Sequence, residues 1–264
     1  MGSIMNDLRI KGAKGFLLDL DGVFTQSGAI LPGALETVEI FNSRNIPYRF
    51  LTNTTTKSRD TLHLRLTKQG FICNKEHIFS AGYSGAKAIM QMGNPSCKFF
   101  ISEDLKKDYK FCDVNNENPD LIVIGDYDKW DVASINQAFN YVMGGSQILA
   151  LHVGRYYKVK SGLKIDAGAF VKALEYATGE RATVVGKPNA LFFKQALDDM
   201  KLSPEDVIMV GDDLYNDIQG AQKLKIKGIL VRTGKYDSKI FQNTNIKPDR
   251  VFDSIKNLAD IIKS

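Results

Sequence analysis

Four short apolar runs in this chain break off at polar residues of chemical consequence. Phe16-Leu17-Leu18 leads into Asp19-Leu20-Asp21-Gly22, and Tyr48-Arg49-Phe50-Leu51 ends at Thr52-Asn53. Thr183-Val184-Val185 precedes Gly186-Lys187, and Val207-Ile208-Met209-Val210 ends at Gly211-Asp212-Asp213. Amphipathic stretches of about ten residues or more lie between such runs, the signature of βαβ units. The expected fold class is therefore α/β, a mainly parallel sheet covered by helices. Parallel strands share a C-terminal edge, so groups distant in sequence should meet in the crevice where open α/β sheets place their ligands.

Length sets the next bound. The 264 residues correspond to between one and two domains at roughly 150 residues each, and such a chain buries about 70–75% of its unfolded surface. The composition, 44% hydrophobic and 25% charged, excludes a disordered, collagenous or coiled-coil chain. Thirty-five basic against thirty acidic residues leave +5, which favours anionic partners mildly and does not indicate nucleic acid. Cys73, Cys97 and Cys112 are too far apart for a Cys-x-x-Cys pair, and free thiols in a reducing compartment are expected. The start of the chain lacks an apolar secretion core, and no apolar run is long enough to span a bilayer. A cytoplasmic protein is expected, with no membrane partner and with Met1-Gly2-Ser3 set aside as a cloning scar.

The rhythm divides the chain into three parts. Residues 1–80 contain two βα units, with helices expected at about 33–45 and 55–68. From about residue 81 the pattern restarts, with helices at 82–92, 131–143 and 166–177 and strands at 97–101, 121–124 and 147–152. Residues 81–182 should thus form an α/β domain inserted between the two parts of a core, 1–80 and 183–264. The second part of the core carries helices expected at 189–200, about 217–224 and after Ser254.

The residues at the strand ends carry the chemistry. Asp19, Asp21, Asp212 and Asp217, with only Lys187 among them, would repel one another, and a hard divalent cation is the usual remedy. Mg²⁺ prefers one or two carboxylates with waters and phosphate oxygens. Asp19 can attack phosphorus as a covalent nucleophile when a metal neutralises the incoming group. Asp21, two residues on and read as projecting to the same side of the strand, can protonate the leaving oxygen and then deprotonate water. Thr52, Asn53 and nearby amides can hold phosphoryl oxygens, and Lys187 can offset transition-state charge.

Asp19-Leu20-Asp21-Gly22-Val23, Leu51-Thr52-Asn53, Gly186-Lys187-Pro188 and Gly211-Asp212-Asp213-x-x-x-Asp217 resemble, in order, the four motifs of the haloacid dehalogenase superfamily. Segments such as Gly154-Arg155-Tyr156-Tyr157, Ala173-Leu174-Glu175-Tyr176-Ala177-Thr178 and Val231-Arg232-Thr233-Gly234-Lys235-Tyr236 are similar to its NagD-type branch with the large α/β cap. The resemblance covers nearly the whole chain. It implies a Rossmannoid core, a cap between the second and third motifs, a Mg²⁺-dependent phosphatase activity on a small phosphorylated substrate, and a homodimer formed through the cap. It also implies that Asp19 is nucleophile and metal ligand, that Asp21 is acid/base and lends its backbone carbonyl to the metal, and that Asp212 is a ligand, with Asp217 either a ligand or behind one. Some members of the closest group carry Asn or Ser where this chain has Asp21. The full acid/base set here favours phosphate esters over phosphoamides or pyrophosphate.

Other readings of the same residues fit less well. A receiver-type signalling module also joins Asp, Thr, Lys and Mg²⁺ on a parallel sheet, but its motif order and its length, about half of this chain, do not fit. An idle binding protein on the same fold has no use for the complete polar set, and a dehalogenase has no need of Asp21 or Asp212. The acid-free stretch Arg155–Lys164 reads either as an edge strand guarded by lysines or as a cap loop that selects substrate through Arg155 and Tyr156. Residues 223–239 read as a solvated basic face. His63, His77 and His152 lack metal spacing, and only His152 has a claim on substrate. Asp213 reads as a supporting or surface group.

Overall fold

The computed structural model describes residue 10 and residues 12–159 and 162–264. Met1-Gly2-Ser3 and, in the basic stretch, Lys160 and Ser161 lie outside the described residues. In chain order the strands are β1 (Gly15–Asp19), β2 (Thr25–Gln26), β3 (Ala29–Ile30), β4 (Tyr48–Thr52), β5 (Ile78–Ser80), β6 (Cys97–Phe100) and β7 (Leu121–Ile124). They continue with β8 (Gln147–Ala150), β9 (Tyr156–Val159), β10 (Gly162–Ile165), β11 (Thr183–Val184), β12 (Val207–Gly211), β13 (Lys227–Val231) and β14 (Arg250–Phe252).

The chain separates into two compact units. The first comprises the residues up to Thr52, His63–Phe79 and Lys187–Ser264, and the second comprises Asn53–Leu62 and Ser80–Gly186. The second unit thus takes in residues 53–62, Ser80 and residues 183–186 in addition to the span 81–182, so the strand Thr183–Val184, expected in the second part of the core, pairs with β8 of the second unit instead.

The first unit is built on a six-stranded sheet in the order β14-β13-β12-β1-β4-β5. Strands β1, β4, β12, β13 and β14 pair in parallel, with Leu18 opposite Val210 and Asp19 opposite Leu51. Every residue of β1 and β12 is buried, as expected when both faces of a parallel sheet are covered and the strand sequence is apolar without alternation. From β1 the chain proceeds to β4 on one side, whereas β12 lies on the other. The order reverses at β1, so the loops after β1 and β12 flank a topological switch point.

Aromatic side chains fill the space beside this sheet: Phe16 stacks on Phe41 at 4.9 Å, and Phe24 meets Phe50 edge-on at 5.1 Å. Burying each such ring contributes about 1.5–3 kcal/mol.

The second unit carries a four-stranded parallel sheet, β11-β8-β7-β6. Its core joins Phe100, Ile122, Ile124 and Ile148 of the strands to Ala138, Val171 and Leu174 of the helices Val132–Met143 and Ala167–Thr178. The basic stretch is an antiparallel hairpin, β9 with β10, with Tyr157 opposite Lys164.

Two expected helices differ from the structure, each for a local reason. The helix expected at 55–68 starts at Arg59. Its exposed N-terminal donors are met from elsewhere: Asp104 accepts from Ser58 N–H at 2.9 Å, Asp108 accepts from Arg59 N–H at 2.9 Å, and the Ser58 hydroxyl accepts from Thr61 N–H at 3.3 Å. Those partners place the cap at Ser58. The helix expected at 217–224 is instead a wide π-type turn, Leu214–Gln219, followed by Gly220–Gln222. Asp213 opens that turn by accepting from the N–H groups of Tyr215 and Asn216 at 3.1 and 2.9 Å.

Candidate active site

At the switch point β1 ends on Asp19, which is 7% exposed, and the residue after β12 is Asp212, which is 1% exposed. Lys187 and Asp217, both buried, complete the group. The Lys187 ammonium donates to Asp19 Oδ1 at 2.5 Å and to Asp217 Oδ1 at 2.7 Å. One carboxylate oxygen from each of Asp19, Asp212 and Asp217 lies within 4.8 Å of the others.

The three acids are not equivalent. Asp217 spends both oxygens inside the protein, since Oδ1 takes Lys187 and Oδ2 accepts from Asp213 N–H at 3.1 Å. Asp212 Oδ2 accepts from Lys235 N–H at 2.6 Å, but its buried Oδ1 has no hydrogen-bond partner. An Asp19 carboxylate oxygen lies within 4.8 Å of one on Asp212, so two acids face each other across the site.

Such crowding makes the carboxyls of the metal-free site weaker acids. Burial, opposed by Lys187 and reinforced by Asp212, pushes Asp19 up to about 7. Burial and then the Asp19 charge push Asp217 up to about 7, and burial with the Asp217 charge pushes Asp212 up to about 6. Burial by itself would depress Lys187, but Asp19 and Asp217 outweigh it and hold the ammonium above its ordinary range. An orphaned buried oxygen facing a second carboxylate is a donor set that suits a hard cation. Oxygen ligands of this kind hold Mg²⁺ or Ca²⁺.

Two glycines shape the approach to Asp212. Gly22 and Gly234 have φ of +101° and +59°, and a Cβ on either would stand within 2 Å of Asp212 Oδ2, at 1.9 and 1.8 Å. Only glycine meets both demands, positive φ and close passage.

Asp21 differs from Asp19 in setting. Strand β1 ends at Asp19, so the alternation used to place Asp21 on the same side does not extend to it. Its side chain is 53% exposed, accepts from the Thr25 hydroxyl at 3.3 Å and faces the Arg65 guanidinium at 3.7 Å. Thr52, the last residue of β4, is buried. Asn53 packs against Gly186 in the second unit, where a Cβ on Gly186 would come within 2.8 Å of Asn53 Oδ1. Arg155 and Tyr156 lie on or next to the β9–β10 hairpin of the second unit, exposed, and are not among the carboxylate cluster.

The comparisons with known proteins bear on this constellation. Residues 16–115 match the family model of the haloacid dehalogenase-like hydrolases, and residues 184–258 match a second, HAD-hydrolase-like model. Phospholysine phosphohistidine inorganic pyrophosphate phosphatase of Danio rerio is 36% identical over 260 residues, covering 96% of this chain and 95% of that protein. The chain belongs to the haloacid dehalogenase-like hydrolase family. Haloacid dehalogenase-like hydrolase domain-containing protein 2 of Mus musculus is likewise 36% identical, over 253 residues and 96% of each chain. The 4-nitrophenylphosphatase of Thermotoga maritima superposes with a TM-score of 0.91 at 27% identity, over 96% of this chain and 99% of that one. NagD of E. coli, at 21% identity and a TM-score of 0.86, shares the fold over 92% of this chain and 97% of its own.

In this hydrolase the sequence reading missed one participant. The basic residues of 223–239, around the expected strand Gly228–Val231, read as a solvated face, yet the Thr233–Lys235 turn just after that strand closes on Asp212. Thr233 Oγ1 also donates to Gly22 O at 2.5 Å. The available signal was Gly234, a small residue just beyond a strand end. Asp213, by contrast, has its side chain committed to opening the π-type turn, with Oδ2 also accepting from Asn216 Nδ2 at 2.7 Å. His152 is buried and bonded within the second unit, its Nδ1 accepting from Gly154 N–H at 3.2 Å and its Nε2 lying within hydrogen-bond distance of Thr55 Oγ1, at 3.3 Å.

Proposed function

We infer that this hydrolase is a Mg²⁺-dependent phosphatase that cleaves small phosphorylated metabolites through a phosphoryl group carried transiently on Asp19. The observation that carries the reading is the buried Asp19–Lys187–Asp217 ion-paired chain beside an Asp212 oxygen without a partner. Asp19, Asp212 and the backbone carbonyl of Asp21 would hold Mg²⁺. Asp217 keeps both oxygens on protein donors and so acts by fixing Lys187. When bound, the cation supplies charge neutralisation that lets an anionic carboxylate meet an anionic phosphoryl group.

The residues then divide the work. Asp19, ionised by its pairing with Lys187, attacks phosphorus in line, and the leaving oxygen departs from the opposite side. Lys187 and the donors around Thr52 and Asn53 take up charge on the phosphoryl oxygens as it builds. Asp21 is half exposed, between the Thr25 hydroxyl and the Arg65 guanidinium. That setting suits a group that gives a proton to the leaving oxygen and later takes one from water. The second unit, through Arg155 and Tyr156, selects among substrates.

The likeness to a 4-nitrophenylphosphatase supports an aryl phosphate as first probe. The likeness to a phosphatase named for phospholysine, phosphohistidine and inorganic pyrophosphate supports a second reading, in which phosphoamides or pyrophosphate are the preferred substrates. One experiment separates the two: phosphate release from p-nitrophenyl phosphate, a panel of sugar and nucleotide monophosphates, pyrophosphate and a phosphoamide, with and without Mg²⁺. Ester turnover that stops with excess chelator supports the first reading, and selective turnover of the P–N or P–O–P compounds supports the second. No release from any of them with saturating Mg²⁺ refutes both.

A further inference from the structure

Two of the three cysteines stand together in the second unit. Cys97 opens β6 and is fully buried, and its backbone is paired with the segment just after Cys112. Its N–H donates to Asp113 O at 2.8 Å, and its carbonyl accepts from Asn115 N–H at 3.1 Å. Cys112 lies on the turn before that segment, with its N–H bound to Tyr109 O at 3.0 Å. This pairing sets Cys97 beside the turn that carries Cys112, with the Cys97 thiol donating to Pro95 O at 3.2 Å. Cys112 is only half-buried, and it lines a surface cavity of about 240 Å³ together with Tyr109, Lys98, Lys106 and Lys110.

We propose that Cys97 and Cys112 form a peroxide-responsive dithiol site, in which Cys112 attacks and Cys97 resolves the product as an intramolecular disulfide. Three features of the cavity support this division. The first is access, since Cys112 opens to solvent and Cys97 does not. The second is charge: three lysines and no acid among the lining residues draw an anionic or polarised oxidant toward the sulfur. The third is the neighbourhood of the two thiols, which holds the pKa of Cys112 below its ordinary value and raises that of Cys97, with burial adding to the rise. A thiolate is the nucleophile in such chemistry.

The steps balance as follows. The Cys112 thiolate attacks one oxygen of hydrogen peroxide, the O–O bond breaks, and the second oxygen leaves as water after taking a proton, giving a sulfenic acid. Cys97 sulfur then attacks Cys112 sulfur, the S–O bond breaks, and the hydroxyl leaves as water with the Cys97 proton. Two thiols and one peroxide become one disulfide and two waters. Cys73 provides an internal contrast, because it belongs to the first unit and burial pushes its thiol up to about 11.

The test uses the full-length reduced protein, exposed to hydrogen peroxide, quenched with an alkylating reagent and mapped by mass spectrometry. The expected result is a Cys97–Cys112 crosslinked peptide, reversed by dithiothreitol, with Cys73 still alkylated. Cys112→Ser should leave both other thiols alkylated. Cys97→Ala should convert the same exposure into a dimedone-trapped sulfenic acid on Cys112, and its circular dichroism checks that the fold survives. If Cys97→Ala does not fold, the wild-type peptide map and Cys112→Ser decide the matter. The proposal is overturned if Cys73 oxidises first, or if Cys112 proceeds to sulfinic acid in the wild type without a crosslink.

Discussion

Each of the two units holds a buried cluster in which three ligand-type side chains converge, and the two clusters are built on opposite principles. In the first unit, Asp19, Asp212 and Asp217 crowd around one ammonium and leave Asp212 Oδ1 unpartnered. In the second, Asp126, His152 and Asp166 also bring ligand atoms within 4.8 Å, but Thr55 closes the set. Its hydroxyl donates to Asp126 Oδ2 at 2.7 Å and accepts from Asp126 N–H at 2.8 Å. Asp166 caps the helix Ala167–Thr178 through Ala167 N–H at 2.8 Å.

The acidities differ accordingly. Burial would raise Asp126, but the hydrogen bonds from His152 and Thr55 outweigh it and hold the carboxyl low. Burial and the Asp217 charge raise Asp212 to about 6, because the Lys235 N–H bond and the Lys235 charge do not outweigh them. Convergence of ligand atoms therefore does not distinguish a site from a structural knot, whereas the satisfaction of each oxygen does. A network with every member paired fastens a fold, and one with a buried orphan has been kept for something else.

The sharpest break of this contrast is Asp19→Asn, which keeps the shape and removes the nucleophile. Turnover of p-nitrophenyl phosphate should fall to background, while thermal unfolding stays cooperative; a substantial remaining rate would show that no phosphoenzyme forms on this residue. Next in size is Asp21→Asn, expected to slow a sugar phosphate by about 10²–10⁴-fold. A nitrophenolate needs little protonation to leave, so the variant should release a burst of nitrophenol near one equivalent and then stall. Rapid-quench kinetics with no burst and equal slowing on both substrates would remove the proton-transfer role.

A paired experiment tests the two clusters directly. Asp212→Asn should abolish Mg²⁺ binding by calorimetry, and Asp126→Asn should not. In stability the order reverses. A carboxyl whose folded pKa is raised holds a proton that the unfolded chain releases, so its contribution is lost as pH rises from about 4 to about 6 and stays unfavourable above. Removing that charge should therefore stabilise the metal-free protein at pH 8 by roughly 1–3 kcal/mol. Asp126→Asn, which disrupts the bonds to Thr55, should destabilise it by about 1–3 kcal/mol. Urea unfolding in chelator reads both, and a destabilised Asp212→Asn would contradict the argument. The smallest effect expected is that of Arg155→Ala, less than about tenfold on p-nitrophenyl phosphate but a changed ranking within a metabolite panel. Equal loss on all substrates would point to a structural role for the hairpin.

Much of this was legible in the sequence because strand ends are local events. An apolar run stopping at Asp19, at Thr52 or at Gly211-Asp212 announces both a buried parallel strand and its polar edge. The order of the four motifs was enough to mark the family resemblance. The α/β class and the placing of Asp212 at a strand end follow from that pattern, whereas Lys187, which follows a strand of the other unit's sheet, stands out only through its place in the set of four motifs. Elements without a periodic signal were not legible: β5 and β14, three residues each, and the hairpin β2–β3, with two residues in each strand.

What the sequence could not decide was how each oxygen is satisfied, because a hydrogen bond brought about by tertiary packing leaves no trace in spacing. Tertiary structure placed Lys235 N–H on Asp212, gave both oxygens of Asp217 to protein donors and left Asp212 Oδ1 without one. It also turned the expected start of a helix at Thr55 into the keystone of a separate network, since Asp126, seventy-one residues away, offers that hydroxyl and amide a stronger partner than the helix would. Residue types and their order fixed the available chemistry, and the packing of distant loops decided which groups remain free to perform it. Burial makes the difference, because it removes the water that would otherwise satisfy every polar atom alike.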